Sequence, residues 1–127
     1  YPMHPRTQSK LKKVNVPDGL RILDPLGYYD FNKLTKNAFC LVSDSGTSAE
    51  EGLYYKVPCV SVRKTTERPE TVEAGAHIIA GIDKNNIVES VETIVNNNWT
   101  ARYDMCKNFE PSTIVINTLR SQIKNYF

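Results

Sequence analysis

The sequence lacks the features that would direct it to a membrane or to nucleic acid. No apolar stretch is long enough to cross a bilayer, and no signal-peptide pattern is present. Sixteen lysines and arginines nearly balance fourteen aspartates and glutamates, and a net charge of +2 is too small to favour a nucleic-acid or membrane partner. Internal repeats and low-complexity segments are also absent. These absences favour a soluble globular chain, and its 127 residues fit one domain.

Cysteine and histidine are scarce. The three cysteines, Cys40, Cys59 and Cys106, are widely spaced without a CxxC motif, and the two histidines, His4 and His77, lie far apart. Because Cys40 and Cys59 lie in apolar, strand-like runs, we expect reduced core thiols in a cytosolic protein. The sequence also has no Walker loop, no Ser-His-Asp set and no close pair of carboxylates suited to acid–base catalysis. We therefore predict neither a metal nor an organic cofactor.

Short apolar runs alternate with helical patterns along the chain. Runs with the composition of strands lie at 1–4, 20–23, 39–43, 57–62 and 77–80. Helical patterns follow them at 5–14, 28–37, 47–55, 69–75 and 83–97. This alternation predicts an α/β fold, with a Rossmann-like parallel sheet, right-handed crossovers and helices on both faces.

The last part of the chain departs from this alternation. Two consecutive helices are predicted there, at 99–107 and 111–125, and they would cap the sheet or dock on a partner domain. The chain begins at Tyr1, inside a strand candidate and without an initiator methionine, so we expect a piece of a longer protein. We predict a single partial Rossmann-like domain over residues 1–127, with C-terminal helices at about 99–125.

The stretch from Phe39 to Gly52 joins a strand, a Ser-Gly turn and the start of a helix. Thr47-Ser48-Ala49-Glu50 has the spacing of a capping box, which predicts that the helix begins there. The first N–H groups of a helix have no partner within it, and they carry partial positive charge that attracts anions. Gly46 would let a phosphate approach the backbone, and Ser45 would add a hydroxyl donor. The alternative is that Ser45 and Thr47 merely cap the helix.

Three polar segments favour the phosphate site over the bare cap. In an open parallel sheet, ligands bind beyond the carboxyl ends of the strands. Segments 24–28, 44–47 and 63–68 each follow a strand candidate, so a parallel sheet would bring them to the same edge.

Glu51 is a candidate for binding a sugar. It lies four residues after Thr47 and therefore shares its helix face, whereas the neighbouring Glu50 points about 100° away. A carboxylate would repel phosphate, so ribose hydroxyls are the better partners for Glu51. The alternative is that Glu50 and Glu51 are an exposed pair without a role.

Two arginines are candidates for holding phosphate. Arg68 precedes Pro69 at a helix start, where a cation opposes the helix dipole unless an anion lies between them. The alternative is that Glu67 neutralises Arg68 as a plain surface pair. Arg63, at the end of a strand candidate, is a second possible phosphate clamp.

Phe31 and His4 are weaker candidates. Phe31 has the helical spacing of an ordinary core residue, although it follows the first polar segment and would also suit packing on a flat base. His4, at a strand end, would face the crevice or serve a structural role, and the structural role is favoured. The residues alone lead to an α/β domain that binds phosphate or a nucleotide.

Several blocks together resemble the non-hydrolysing UDP-N-acetylglucosamine 2-epimerases of bacteria and archaea. The blocks are His4-Pro5-Arg6-Thr7, Asp44-Ser45-Gly46, Glu50-Glu51, Thr65-Thr66-Glu67-Arg68-Pro69-Glu70 and Glu73-Ala74-Gly75. The resemblance implies two Rossmann-like domains arranged as in GT-B glycosyltransferases, with the substrate in the cleft between them. This chain resembles the larger part of the second domain.

The resemblance also implies roles for individual residues. Ser45 and Gly46 would bind the UDP phosphates, Glu51 the ribose, Arg68 the nucleotide sugar, and Phe31 would pack near the uracil. Arg63, Thr47 and His4 are further possible contacts. The implied partners are a UDP-sugar, the N-terminal domain of the same polypeptide and, for the full-length enzyme, a second copy in a homodimer.

The implied reaction converts UDP-N-acetylglucosamine to UDP-N-acetylmannosamine for surface polysaccharide synthesis. It removes the C2 proton, eliminates UDP and adds UDP back with C2 inverted. The family's acid–base carboxylates lie upstream of the matching segment, so no catalytic residue is expected here and the chain alone is expected to be inactive.

Other functions stay open at this point. Gly46-Thr47-Ser48-Ala49 stands where many members have Gly-Gly-Ile-Gln, and a threonine there resembles members that act on other UDP-acetamido sugars. A different enzyme class is the nucleotide-binding half of a GT-B glycosyltransferase, which would need an acceptor. A non-enzyme alternative is a phosphate-sensing or purely structural α/β module, which would not prefer UDP over phosphate.

Overall fold

The computed structural model forms two compact units, Tyr1–Ala38 and Phe39–Phe127. The residues that it describes are 1–11, 15–97, 99–104 and 110–123.

In the first unit, the described residues form the helices α1 (Pro5–Leu11) and α2 (Tyr28–Lys36). The strand candidates at 1–4 and 20–23 pair only through an isolated parallel bridge between Pro2 and Leu23. Helix α2 ends one residue earlier than predicted, where the backbone N–H of Asn37 turns back to the carbonyl of Leu34 at 3.2 Å.

The second unit contains a three-stranded parallel sheet in the order β1-β2-β3. Its strands are β1 (Leu41–Ser43), β2 (Cys59–Ser61) and β3 (His77–Ile79). They are shorter than predicted, although hydrogen bonds continue past their ends: Val62 N–H donates to the carbonyl of Ser43 at 2.9 Å. At the start of β2, Pro58 has no N–H to donate, and its carbonyl accepts from Leu41 N–H at 2.9 Å.

Among the described residues of this second unit there are four helices. They are α3 (Gly46–Tyr55), α4 (Pro69–Glu73), α5 (Lys84–Asn96) and α6 (Pro111–Ile123). Gly75, at a φ of +74°, follows α4 as predicted, because a left-handed conformation costs glycine little. Asp83 caps α5, where its carboxylate accepts from the N–H groups of Asn85 and Asn86 at 2.9 and 3.2 Å.

The two faces of the sheet are covered by different helices. Val60 of β2 packs in a cluster with Ala80 and with Ile94 of α5. Its neighbour Cys59 points the other way, towards Gly52 of α3, as strand alternation requires. An α/β fold with a parallel sheet and helices on both faces is therefore confirmed.

The helix predicted at 99–107 is wrong for residues 99–104, which are not helical, and the remainder lies outside the described residues. Arg102 N–H donates to the carbonyl of Ala74 at 2.7 Å, just after α4. Ala101 and Tyr103 pack against the cluster that contains Leu53 and Ala74. These contacts with α3 and α4 hold the segment in a non-helical path.

The remaining structural expectations concern thiols and membrane segments. Cys40 and Cys59 are free, as predicted, and burial raises the pKa of the Cys59 thiol to about 12. Cys106 lies outside the described residues.

Within the described part of the chain, no helix combines the length and apolar character needed to cross a membrane.

Gly52→Ala tests the contact between α3 and the chain that leads into β2. A Cβ at residue 52 would lie 2.6 Å from the carbonyl oxygen of Val57 and 3.3 Å from Cδ1 of Leu41. We expect the substitution to lower the free energy of unfolding by about 2–3 kcal/mol, because backbone must shift. Urea denaturation measures the change.

Gly27→Ala is the matched control. Gly27 has a φ of −65° and nothing within 4 Å of the added Cβ, so we expect a change within about 1 kcal/mol. Equal stability of the two variants would contradict the packing described here.

His77 has a fixed tautomer in the buried region between α4 and β3. The Thr71 hydroxyl donates to the carbonyl of Arg68 at 2.7 Å and lies 2.9 Å from Nδ1 of His77. Because the hydroxyl has only one proton, Nδ1 must carry the hydrogen that it receives. The buried Nε2 then has no hydrogen-bond partner among the described residues. The ring is therefore held in its neutral form.

This arrangement makes stability depend on pH. Burial, with a smaller effect from the charge of Arg63, lowers the pKa of His77. Between this lowered value and the unfolded value near 6.5, the unfolded chain binds more protons, so stability falls as the pH falls. We expect wild type to lose more unfolding free energy between pH 7.5 and 5.5 than His77→Gln does. Urea titrations at both pH values measure the difference, and identical losses would contradict the assignment.

Candidate functional site

The turn after β1 places the N-terminus of α3 at the carboxyl edge of the sheet. Helix α3 begins at Gly46, with Ser45 as its N-cap residue at φ −80° and ψ 128°. The predicted capping box is therefore wrong, since Thr47 lies inside the helix. Nor does Ser45 act as a side-chain cap, because its hydroxyl makes no capping hydrogen bond. The Ser45 side chain is exposed at the start of the helix.

A different serine pair holds this turn. The hydroxyl oxygen of Ser43 accepts from the backbone N–H of Ser45 at 3.1 Å and from the hydroxyl of Ser48 at 3.1 Å. Ser48 is buried, and this link fixes the angle at which the chain passes from β1 into α3. Neither serine was predicted from the sequence to hold this turn. Their only signal is a serine at the strand end with another serine five positions later.

The open side of Gly46 faces an ion pair from the loop after β2. Arg63 donates to Glu67 through Nη1 at 3.0 Å and through Nη2 at 2.6 Å, so the pair is bidentate. A Cβ built on Gly46 would lie 3.5 Å from Nη1 of Arg63 and 3.8 Å from a carboxylate oxygen of Glu67. The hydrogen bond to Glu67 raises the pKa of Arg63, with a smaller effect of Asp44 in the same direction, and the same bond lowers the pKa of Glu67. A paired guanidinium and carboxylate therefore lie where the phosphate was predicted.

Arg68 forms a second ion pair, which joins the loop before α4 to α3. Its Nε donates to a carboxylate oxygen of Glu50. Its Nη1 also donates to the backbone carbonyl of Glu67 at 3.4 Å. The alternative in which Glu67 is the ion-pair partner of Arg68 is wrong, because the carboxylate that Arg68 contacts is that of Glu50. The role of Glu50 was missed, since helical geometry alone did not show what lies beside it.

Glu51 is less exposed than Glu50. Burial raises the pKa of Glu51, and the adjacent charge of Glu50 raises it further. The two carboxylates lie in different surroundings, because Glu50 is turned towards Arg68. The Glu51 carboxylate is therefore available for a different partner.

The predicted site residues fall into two groups. Those in the second unit lie on the first turns of α3 or in the loop after β2, namely Ser45, Gly46, Thr47, Glu51, Arg63 and Arg68. Phe31 and His4 belong to the first unit, and their part in the site stays a prediction, as does that of segment 24–28. Phe31 is 36% exposed, and Nδ1 of His4 accepts from the backbone N–H of Arg6 at 3.2 Å.

The chemistry of this cluster suits binding rather than bond cleavage. Guanidinium groups and helix N–H groups bind anions, and a half-buried carboxylate binds hydroxyls. Within residues 1–11, 15–97, 99–104 and 110–123, no group of three histidine, cysteine or acidic side chains is placed to hold a metal ion.

Comparisons with known proteins show which sequences this chain resembles. The family profile described as UDP-N-acetylglucosamine 2-epimerase matches residues 1–112. The UDP-N-acetylglucosamine 2-epimerase of Methanocaldococcus jannaschii is 43% identical over 107 residues, which cover 78% of this chain and 29% of that protein. The UDP-2,3-diacetamido-2,3-dideoxy-D-glucuronate 2-epimerase of Pseudomonas aeruginosa is 33% identical over 92 residues, 72% of this chain and 26% of that protein. The chain thus spans less than a third of the length of these relatives.

Solved structures share the fold of this chain. The M. jannaschii UDP-GlcNAc 2-epimerase in complex with UDP-GlcNAc and UDP matches with a TM-score of 0.70 at 40% identity, over 80% of this chain and 30% of that one. The Neisseria meningitidis UDP-GlcNAc 2-epimerase bound to UDP-GlcNAc matches with a TM-score of 0.64 at 29% identity, over 94% of this chain and 35% of that one. With sequence, fold and the profile match over residues 1–112 in agreement, the chain belongs to the UDP-N-acetylglucosamine 2-epimerase family.

Proposed function

We propose that this chain is the UDP-binding part of an enzyme that interconverts UDP-N-acetylglucosamine and UDP-N-acetylmannosamine. The observation that carries the proposal is the meeting of Arg63 and Arg68 with the N-terminus of α3 at one edge of the sheet. A diphosphate needs several donors and positive charges close together, and this edge supplies both. The M. jannaschii relative, solved with UDP-GlcNAc and UDP, supports the choice of nucleotide.

The proposed contacts follow the chemistry of each group. The Ser45 hydroxyl and the Gly46 backbone bind phosphate oxygens, and Arg68 neutralises the diphosphate. Glu51 accepts from the ribose hydroxyls, for which its half-buried position beside the first turn of α3 is suitable. Phe31 packs on the uracil. Arg63, Thr47 and His4 are secondary contacts.

The remaining parts of the proposal concern the whole enzyme. The chain would form most of the second of two Rossmann-like domains in a GT-B arrangement. The acid–base carboxylates belong to the other domain of the same polypeptide, so the chain alone does not epimerise. We also propose a cytoplasmic location and a homodimer.

A second candidate substrate is another UDP-acetamido sugar. Thr47 is exposed on the first turn of α3, where it would meet the part of the ligand next to the phosphates. The P. aeruginosa relative, named for a diacetamido glucuronate, is less similar than the M. jannaschii enzyme. UDP-N-acetylglucosamine is therefore the first choice.

Ser45→Ala separates ligand binding from helix capping. Because the Ser45 hydroxyl does not cap α3, we expect the unfolding free energy to change by less than about 0.5 kcal/mol, whereas loss of a true cap costs about 1 kcal/mol. UDP affinity should fall several-fold, because a phosphate donor is removed. Urea denaturation and calorimetric titration measure the two quantities.

Ser43→Ala is the matched control for this experiment. It removes the acceptor of two hydrogen bonds in the turn, so it should lower stability by about 1 kcal/mol or more. A Ser45→Ala variant that loses stability but binds UDP as wild type does would contradict the assignment.

Arg68→Gln tests the diphosphate contact. We expect the UDP dissociation constant to rise about tenfold, since a charged hydrogen bond is worth about 1.5–3 kcal/mol and Glu50 loses its partner. Arg120→Gln on α6 removes the same charge from an exposed helix and should leave affinity within about twofold. Equal affinities for Arg68→Gln and wild type would refute the contact.

A further inference from the structure

The two arginines of the site are held by their glutamates in different ways. The Glu67 carboxylate accepts hydrogen bonds from both terminal nitrogens of Arg63, from Nη1 at 3.0 Å and from Nη2 at 2.6 Å. The Glu50 carboxylate accepts from Nε of Arg68, which lies on the side of the guanidinium rather than at its end. Among the described residues, nothing accepts a hydrogen bond from Nη2 of Arg68. Both terminal nitrogens of Arg63 are therefore held by a carboxylate, whereas at the end of Arg68 only Nη1 has a partner in the described part of the chain, the carbonyl of Glu67 at 3.4 Å, and Nη2 is left open.

This difference matters because phosphate binds the end of an arginine fork. Two parallel N–H···O bonds from one guanidinium are the strong geometry for phosphate as well as for carboxylate. Glu67 already has this geometry on Arg63, so an incoming phosphate must displace its carboxylate. Glu50 leaves Nη2 of Arg68 available and fixes the plane of the group from the side.

The two carboxylates are placed differently relative to an anion at the start of α3. The Glu67 carboxylate lies 3.8 Å from the position of a Cβ on Gly46, so a phosphate at this helix start would meet it directly. The Glu50 carboxylate is on the helix itself and is bound to the side of Arg68. Arg68 is further held through its backbone N–H, which donates to the Thr66 hydroxyl at 3.1 Å.

We propose that Glu50 is a positioning residue that presents Arg68 to the diphosphate of the ligand, and that Glu67 is an internal anion that competes with the ligand for Arg63. This inference rests on the proposed function. It gives the two arginines different roles. Arg68 is oriented towards the ligand before binding, whereas Arg63 becomes available only after the Glu67 carboxylate has been displaced.

Simple electrostatics gives a different expectation for Glu50. Removal of any carboxylate near an anion site should strengthen anion binding. If Glu50 positions Arg68, however, Glu50→Gln weakens UDP binding although it removes a negative charge. The sign of the effect therefore distinguishes the two accounts.

Calorimetric titration of the 127-residue chain with UDP tests the proposal, with Glu50→Gln, Glu50→Asp and Glu67→Gln compared with wild type. We expect Glu50→Gln to weaken UDP binding about threefold or more, which is a typical coupling between residues in contact. We expect Glu67→Gln to strengthen UDP binding by a similar factor. Glu50→Asp keeps the charge but shortens the reach, so it should weaken binding too. Glu92→Gln on α5, an exposed residue, is the charge-matched control and should change little.

A double substitution excludes a merely structural role. In an Arg68→Gln background, Glu50→Gln should cause no further loss of UDP affinity, because Glu50 acts only through Arg68. An undiminished loss in that background would overturn the positioning role. Strengthened binding by Glu50→Gln would overturn it as well, and weakened binding by Glu67→Gln would overturn the competition for Arg63.

Failure of the proposed function would give a different experimental result from failure of this inference alone. If wild type prefers UDP no more than inorganic phosphate, the proposed function is wrong and this inference falls with it. If wild type prefers UDP and all the glutamate variants bind with wild-type affinity, only the inference is wrong.

Discussion

The parallel pairing of β1 with β2 is the constraint on which the site depends. Ser43 lies opposite Ser61 in this register, and Val62 N–H still donates to the carbonyl of Ser43 beyond the strand ends. Strands β1 and β2 therefore end at the same edge of the sheet. Strand β1 leads into α3, and β2 leads into the loop that contains Arg63. The 3.5 Å between the Cβ position of Gly46 and the Arg63 guanidinium follows from that register.

The packing behind the site makes this arrangement rigid. Gly52 lies close to the carbonyl of Val57, which brings α3 directly onto the strand that carries the arginine loop. The link between Ser43 and Ser48 fixes the start of the same helix. Helix α3 is thus tied to the sheet at Ser48, near its start, and at Gly52, in its second half, so buried contacts hold the polar edge in place.

Carboxylates outnumber the arginines at this edge before any ligand binds. Each of the two arginines has a glutamate partner, and Asp44 and Glu51 add two further carboxylates. Exposed ion pairs of this kind contribute little to stability, because water screens them. In the proposed complex, ligand binding would exchange one set of ion pairs for another, so these pairs matter for the arrangement of the site rather than for stability.

Sequence reasoning predicted the α/β class, the helix that begins at Pro69 and the amphipathic helix capped by Asp83, because these depend on local patterns. It failed where tertiary contacts decide the outcome. The capping box at Thr47 was wrong because Ser43 and Ser48 set the turn. The helix at 99–104 was wrong because Arg102 bonds to the end of α4.

The candidate site was predictable in part for the same reason. Strand ends and a helix start locate Ser45, Gly46 and Arg68 from the sequence. The pairing of Glu50 with Arg68 joins residues 18 positions apart and depends on how α3 and α4 pack, which no local pattern records. The roles of Phe31 and His4 stay predictions from the resemblance.

The most direct test of the central claim is an amide-resolved NMR titration of the chain with UDP, with inorganic phosphate as the control. We expect UDP to cause the largest shifts at residues 45–47, Glu51 and Arg68, and phosphate to cause much smaller shifts there. Largest shifts along the depression between β3 and α5, which Asn86, Ser90 and Trp99 line, would contradict it.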